Sequence, residues 1–113
     1  MKIHKVGRMY KAVIITGPQH NYLGLVLTPR LTQPMSVREV RLQNDPPEAT
    51  VAQAELLQAV EKGVREANTE LQAQYKIEEL EYVPTDTWDA DAYALLAANI
   101  VRAMWNDSHA PPL

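Results

Sequence analysis

Apolar residues along this chain repeat with two periods, first two and then 3.6. Period two is clearest from Tyr22 to Thr28, where Leu23, Leu25 and Leu27 alternate with Tyr22, Gly24 and Val26. That is the pattern of a strand with one core-facing side. Before it, Lys5 to Thr16 predicts a first strand, with β-branched Val13, Ile14 and Ile15 and aromatic Tyr10. Gly17–Pro18 breaks that strand, and Gln19, His20 and Asn21 read as a polar turn, so the two strands form a hairpin. Pro29 and Pro34 bound a connection that cannot donate to a ladder. Met35 to Gln43 predicts a third strand, with Val40 and Leu42 apolar and Arg38, Glu39 and Arg41 charged. Its alternation fails between Val37 and Val40, as at a bulge or a sheet edge.

The longer period takes over at Asp45. Ala49, Leu56, Val60, Val64, Ala67 and Leu71 keep the i, i+3, i+4 spacing of one buried helical face, and the charged residues fall mostly opposite. A helix from Asp45 to Tyr75 follows. Asp45 suits the cap, Pro46 the first turn and Glu48 the third position of a capping box, with Thr50 a rival cap one turn later. Gly63 is out of place inside it, at a cost of about 1 kcal/mol relative to Ala. A close backbone approach, where helix and sheet touch, would explain it. Lys76 to Val83 predicts a fourth strand, ended by Pro84. Thr85, Asp86, Thr87 and Asp89 offer caps for a second helix reaching about Trp105. Residues 106–113, with Pro111 and Pro112, read as a frayed tail.

The order β-β-β-α-β-α predicts an α+β fold, a two-layer α/β sandwich. A four-stranded mixed sheet would carry two helices on one face, in a single domain over residues 1–105. The link from third to fourth strand through the long helix could be a crossover, right-handed by the general rule. Its 113 residues, 46% hydrophobic and 22% charged, fit one soluble globular domain. No run of eighteen apolar residues or signal-peptide core is present, and there is no cysteine. A cytoplasmic protein away from membranes is the expectation. Charge is divided along the chain. Met1 to Gln43 holds seven bases and one acid, and Asn44 to Leu113 holds 13 acids and four bases. The basic half could meet phosphate or an acidic partner, or the halves could attract each other within one domain.

Certain stretches are similar to a known family. Ala59-Val60-Glu61-Lys62-Gly63-Val64-Arg65-Glu66-Ala67 looks like a helix of elongation factor G domain IV. Asp89 to Met104 looks like the next helix of that domain, and Gly17 to Val26 is similar to its Tyr-Gly hairpin. The element order resembles the fold that this domain shares with ribosomal protein S5 domain 2. The resemblance implies an unusual left-handed β-α-β crossover and loops at one end of the sheet that meet RNA. The chain has no P-loop and no GTPase domain, so only a single domain's properties could transfer.

Chemistry-bearing motifs are few. His4, His20 and His109 lack the i, i+4 spacing of a helical metal site, and no metal or cofactor is expected. Asp86, Asp89 and Asp91 read as helix-capping residues, and Trp88 and Trp105 as packing anchors. The candidate binding residues are Arg8, Lys11, His20, Asn21, Tyr22, Arg30, Arg38 and Arg41, bases with an aromatic and a polar turn among them. They point first to a non-catalytic binding or assembly module with a protein partner. Such a module could self-associate through an exposed edge at Met35–Gln43. The alternative is an RNA- or ribosome-associated module. An enzyme with a loop site near His20 and Asn21 is a third reading, which a pocket joining His20 to one of the aspartates would revive.

Overall fold

The computed structural model describes residues 1–30, 33–41 and 48–109. Along them run β1 (Lys2–Val6), β2 (Met9–Thr16), β3 (Gln19–Thr28), β4 (Ser36–Glu39), α1 (Gln53–Leu71), β5 (Lys76–Tyr82) and α2 (Ala90–Ser108). The expected α+β sandwich is present, with the strands in one mixed sheet of order β1-β2-β3-β5-β4. The sheet has five strands rather than four, because Lys5–Thr16 is not one strand. It contains the end of β1, a turn at Gly7–Arg8 and β2. The next link, Gly17–Pro18, is equally short, and the chain is back in a strand at Gln19, where a polar turn was expected. Gly7 and Gly17 have φ of 61° and 57°. A glycine at the first position of a two-residue hairpin link gives a turn whose twist matches the strands.

Pleating sorts the side chains into two sets. One side of the sheet carries the rows Tyr10–Leu25–Leu80–Val37 and Ala12–Leu23–Tyr82. Both helices pack on this side. Leu56, Val60, Val64 and Ala67 of α1 join Tyr93, Leu96, Ala97, Ile100 and Val101 of α2 in a single buried core with those rows. Each large side chain so buried contributes about 1.5–3 kcal/mol. At Gly63 the two helices approach closely through backbone. A Cβ there would lie 2.1 Å from the carbonyl oxygen of Ala94 in α2. The expected close contact is real, but it is with the other helix and not with the sheet.

Helix ends differ from expectation for local reasons. α1 begins at Gln53, and its N-cap Ala52 makes no side-chain capping bond. Thr50 does not cap either. Its hydroxyl donates to the carbonyl of Asp86 at 2.6 Å, tying the chain before α1 to the segment after β5. Asp45 and Pro46 lie outside the described residues. α1 stops at Leu71, and Gln72 turns left-handed with φ 54°. Asn68 holds the chain beyond it, donating to the Tyr75 carbonyl at 2.9 Å and accepting from its amide at 3.1 Å. Asp89 caps α2 by accepting from Ala92 N at 3.2 Å. α2 then runs past Trp105 to Ser108, so residues 106–108 are helical and not frayed. The Tyr10 hydroxyl secures that last turn by donating to Asp107 at 2.6 Å.

Only Ser36–Glu39 of the stretch Met35–Gln43 pairs as a strand, and Leu42 and Gln43 lie outside the described residues. β4 does form a sheet edge, parallel to β5, so the path through α1 is a β-α-β crossover. In β5, Ile77 and Glu79 face consecutive β3 residues, leaving Glu78 as the extra residue of a bulge. No described helix is long and apolar enough to cross a membrane.

Candidate functional site

The second set of side chains lies on the side of the sheet that no described helix covers. Its central row is His4–Lys11–Gly24–Glu81–Arg38, read across all five strands. Glu81 is the hub of that row and is only 3% exposed. Its carboxylate accepts from the Tyr22 hydroxyl and pairs with the Arg38 guanidinium. The Lys11 ammonium stands 3.7 Å away. Gly24 makes this possible. A Cβ there would come within 3.0 Å of the Tyr22 hydroxyl and 2.8 Å of the Met9 sulfur, so bare backbone leaves room for both to lie across the strand.

The electrostatics follow from this crowding. Burial pushes the Glu81 carboxyl up, but hydrogen bonds from Tyr22 and Arg38 and the charges of Arg38 and Lys11 outweigh it. The group is held below the ordinary glutamate range. Tyr22 moves the other way, raised by burial and by donating to Glu81. Near neutrality the cluster is therefore an ionised carboxylate, a neutral phenol and two cations, with every polar group of Glu81 partnered. It stiffens a sheet face.

A second cluster sits where β3 begins and β5 ends. Asp86, 5% exposed, accepts from the Tyr22 amide at 2.8 Å and lies 2.9 Å from His20 Nδ1. The fully buried Asn21 donates to the Thr87 carbonyl at 2.6 Å. Gln19 donates both to Asn21 at 2.9 Å and to the cap residue Asp89 at 3.0 Å. The Thr87 amide donates to the His20 carbonyl at 3.1 Å. These bonds fasten the start of β3 to the segment leading into α2. His20 and an aspartate are thus together, though neither lines the cavities that described residues form beside Met35 and Ile77, Glu55 and Ala90, Met1 and Ile15, or Met9 and Glu81. No described hydroxyl is hydrogen-bonded to the His20 ring, and Asp86 also holds the backbone. The pair reads as a fastening, with the His20 side chain about half exposed.

The eight candidate residues therefore separate. Lys11, Tyr22 and Arg38 meet on Glu81, and His20 and Asn21 meet Asp86 and Thr87. Arg8 lies in the β1–β2 turn, where it pairs with the bulge residue Glu78 at 2.8 Å. Arg41 stands 3.5 Å from Glu39. Arg30 is exposed just beyond β3 and has no acidic partner among the described residues. Sequence reasoning missed Glu81 and Gln19 and took Asp86 for a cap. A signal for Glu81 existed, since it lies between the apolar Leu80 and Tyr82, but its basic partners are set by strand register.

No family model, curated protein or solved structure matches this chain. What fold and site define is a two-layer α+β domain whose sheet is packed on one side and carries a centred ion cluster on the other.

Proposed function

We propose that this chain is a non-catalytic binding or assembly module that works through the uncovered side and the edges of its sheet. The observation that supports it best is the Glu81 cluster. Lys11, Arg38 and Tyr22 are committed to one buried carboxylate, so that side is a rigid platform and not a reactive cleft. Exposed apolar residues on the uncovered side, Val6 and Ile15 at 54% and 66%, stand at opposite ends of the β1–β2 pair and leave apolar surface for contact with another protein. A cytoplasmic setting suits a chain without cysteine. The partner is a protein or a second copy, the latter through the β4 edge.

Sedimentation velocity over a wide concentration range tests self-association. A mass that rises towards a dimer supports it. A monomer at every concentration removes the second copy and leaves a different protein as partner. Turnover of a substrate that is lost on His20→Ala would overturn the non-catalytic reading.

The RNA- or ribosome-associated reading draws on the resemblance to elongation factor G domain IV. Against it, Arg8, Lys11, Arg38 and Arg41 are already paired with acids of this chain, which lowers what they offer to phosphate. Filter binding of mixed RNA at low salt decides it. Steeply salt-dependent retention would favour the alternative.

A further inference from the structure

The sheet has two edges, and they differ in charge. β4 at one edge offers four residues, among them Arg38 and Glu39 with acidic or basic partners of their own. β1 at the other edge is five residues long, and all but Ile3 are exposed. Its outer backbone donors and acceptors meet no strand among the described residues. Lys2, His4 and Lys5 line it, Arg8 follows in the adjoining turn, and Lys11 lies directly across from His4. The first acid in the chain is Glu39. Neither Lys2 nor Lys5 pairs with an acid among the described residues, and Lys5 stands over the Tyr10 ring at 5.5 Å.

We infer that the β1 edge is a docking site for an extended acidic segment of another protein, added to the sheet as a sixth strand. This rests on the binding-module reading and names its partner. An unpaired edge supplies main-chain hydrogen bonds to any extended peptide, and side chains then choose among peptides. Here the choice is electrostatic. A second copy of β1 would bring another strand carrying Lys2, His4 and Lys5 and no acid, which disfavours self-pairing. Acidic side chains at alternate positions would instead meet Lys2 and His4 on the uncovered side of the sheet. At the Lys2 end of the same side, Met1, Lys2, Val13 and Ile15 shape a recess of about 270 Å³, where the edge strand stops and a peptide could continue along β2.

The test uses the full chain and two labelled peptides of about eight residues. One alternates glutamate with valine, the other lysine with valine. Fluorescence anisotropy should show saturable binding of the glutamate peptide only, weakened by added salt. Acidic residues at the two exposed β1 positions on that side, Lys2→Glu with His4→Glu, should weaken it roughly tenfold or more. An unchanged melting temperature would show that the double variant is folded. Hydrogen exchange should show new protection at the β1 amides when the peptide binds. Equal binding of both peptides, indifference to the double variant, or protection at β4 instead of β1 would overturn the inference. So would a glutamate peptide that does not bind. If the chain nevertheless oligomerises through β4 in the sedimentation experiment, only the acidic-segment inference fails and the module reading stands.

Discussion

Gly63 and Glu81 show how much a single position can carry in this molecule. At Gly63 the two helices touch through backbone, and a methyl group would fall inside the Ala94 carbonyl. Gly63→Ala should cost about 1–3 kcal/mol from overpacking, more than the gain in helix propensity returns. Urea denaturation measures the difference. Glu81 contributes to the response to acid. Its native carboxyl lies below the reference value of 4.5, so its contribution is full above that pH and is lost as pH falls through the native value. Denaturation midpoints measured from about pH 7 down to about pH 3 should fall less steeply in Glu81→Gln than in the parent. Tyr93 makes a contrast with Tyr22. Its hydroxyl is buried beside Asn21, whose own polar atoms are engaged by Gln19 and Thr87, so Asn21 offers it at most a poorly formed hydrogen bond and no better partner stands among the described residues. Burial raises it to about 12. Tyr93→Phe should be neutral or stabilising by up to about 1 kcal/mol, whereas Tyr22→Phe strips a bond from a buried carboxylate and should cost about 1–3 kcal/mol.

Among the elements, α2 is the most firmly placed at both ends. Asp89 caps its first turn and also receives Gln19 from β3, while Tyr10 of β2 holds Asp107 in its last turn. Asp89→Ala removes the cap and one strand–helix bond together. A loss of about 1–2 kcal/mol is expected, read from thermal or urea unfolding. α1 is built differently. It has no side-chain cap at its start and depends on its buried face and on Asn68 at its end. The sheet edges are short, which limits unwanted pairing, and β1 adds lysines to the same end.

Over the whole molecule, the division of charge along the chain is partly resolved inside it. Basic residues of the strand half pair with acids of β5, at Arg8–Glu78, Lys11–Glu81 and Arg38–Glu81. Arg102–Glu70 joins the two helices. Salt screens the exposed pairs Arg8–Glu78 and Arg102–Glu70, which add little to stability, and screens the pairs on the buried Glu81 carboxylate less. Raising ionic strength should therefore lower the melting midpoint by only a few degrees, roughly the effect of 1 kcal/mol on a domain of this size. A larger collapse would mean that the ion pairs within the sheet and between the helices, and not the core, carry most of the stability.

The alternation at Leu23–Leu25–Leu27 and the 3.6-residue spacing of α1 determined the two-layer architecture, because burying one face of each element admits few other arrangements. Gly63 announced a close contact for the same local reason. The extra hairpin was also written in the chain, since Gly7–Arg8 interrupts Lys5–Thr16, but a two-residue link is easily read through when β-branched residues surround it. Tertiary structure alone decided the rest. Strand register brought Lys11, Tyr22 and Arg38 onto Glu81, from four separate strands. The same folding carried His20 and Asn21 to Asp86 and Thr87, and left Arg8, Arg30 and Arg41 apart. Residues tens of positions apart meet only through pairing, and no local pattern in a single sequence encodes which neighbour a strand will take.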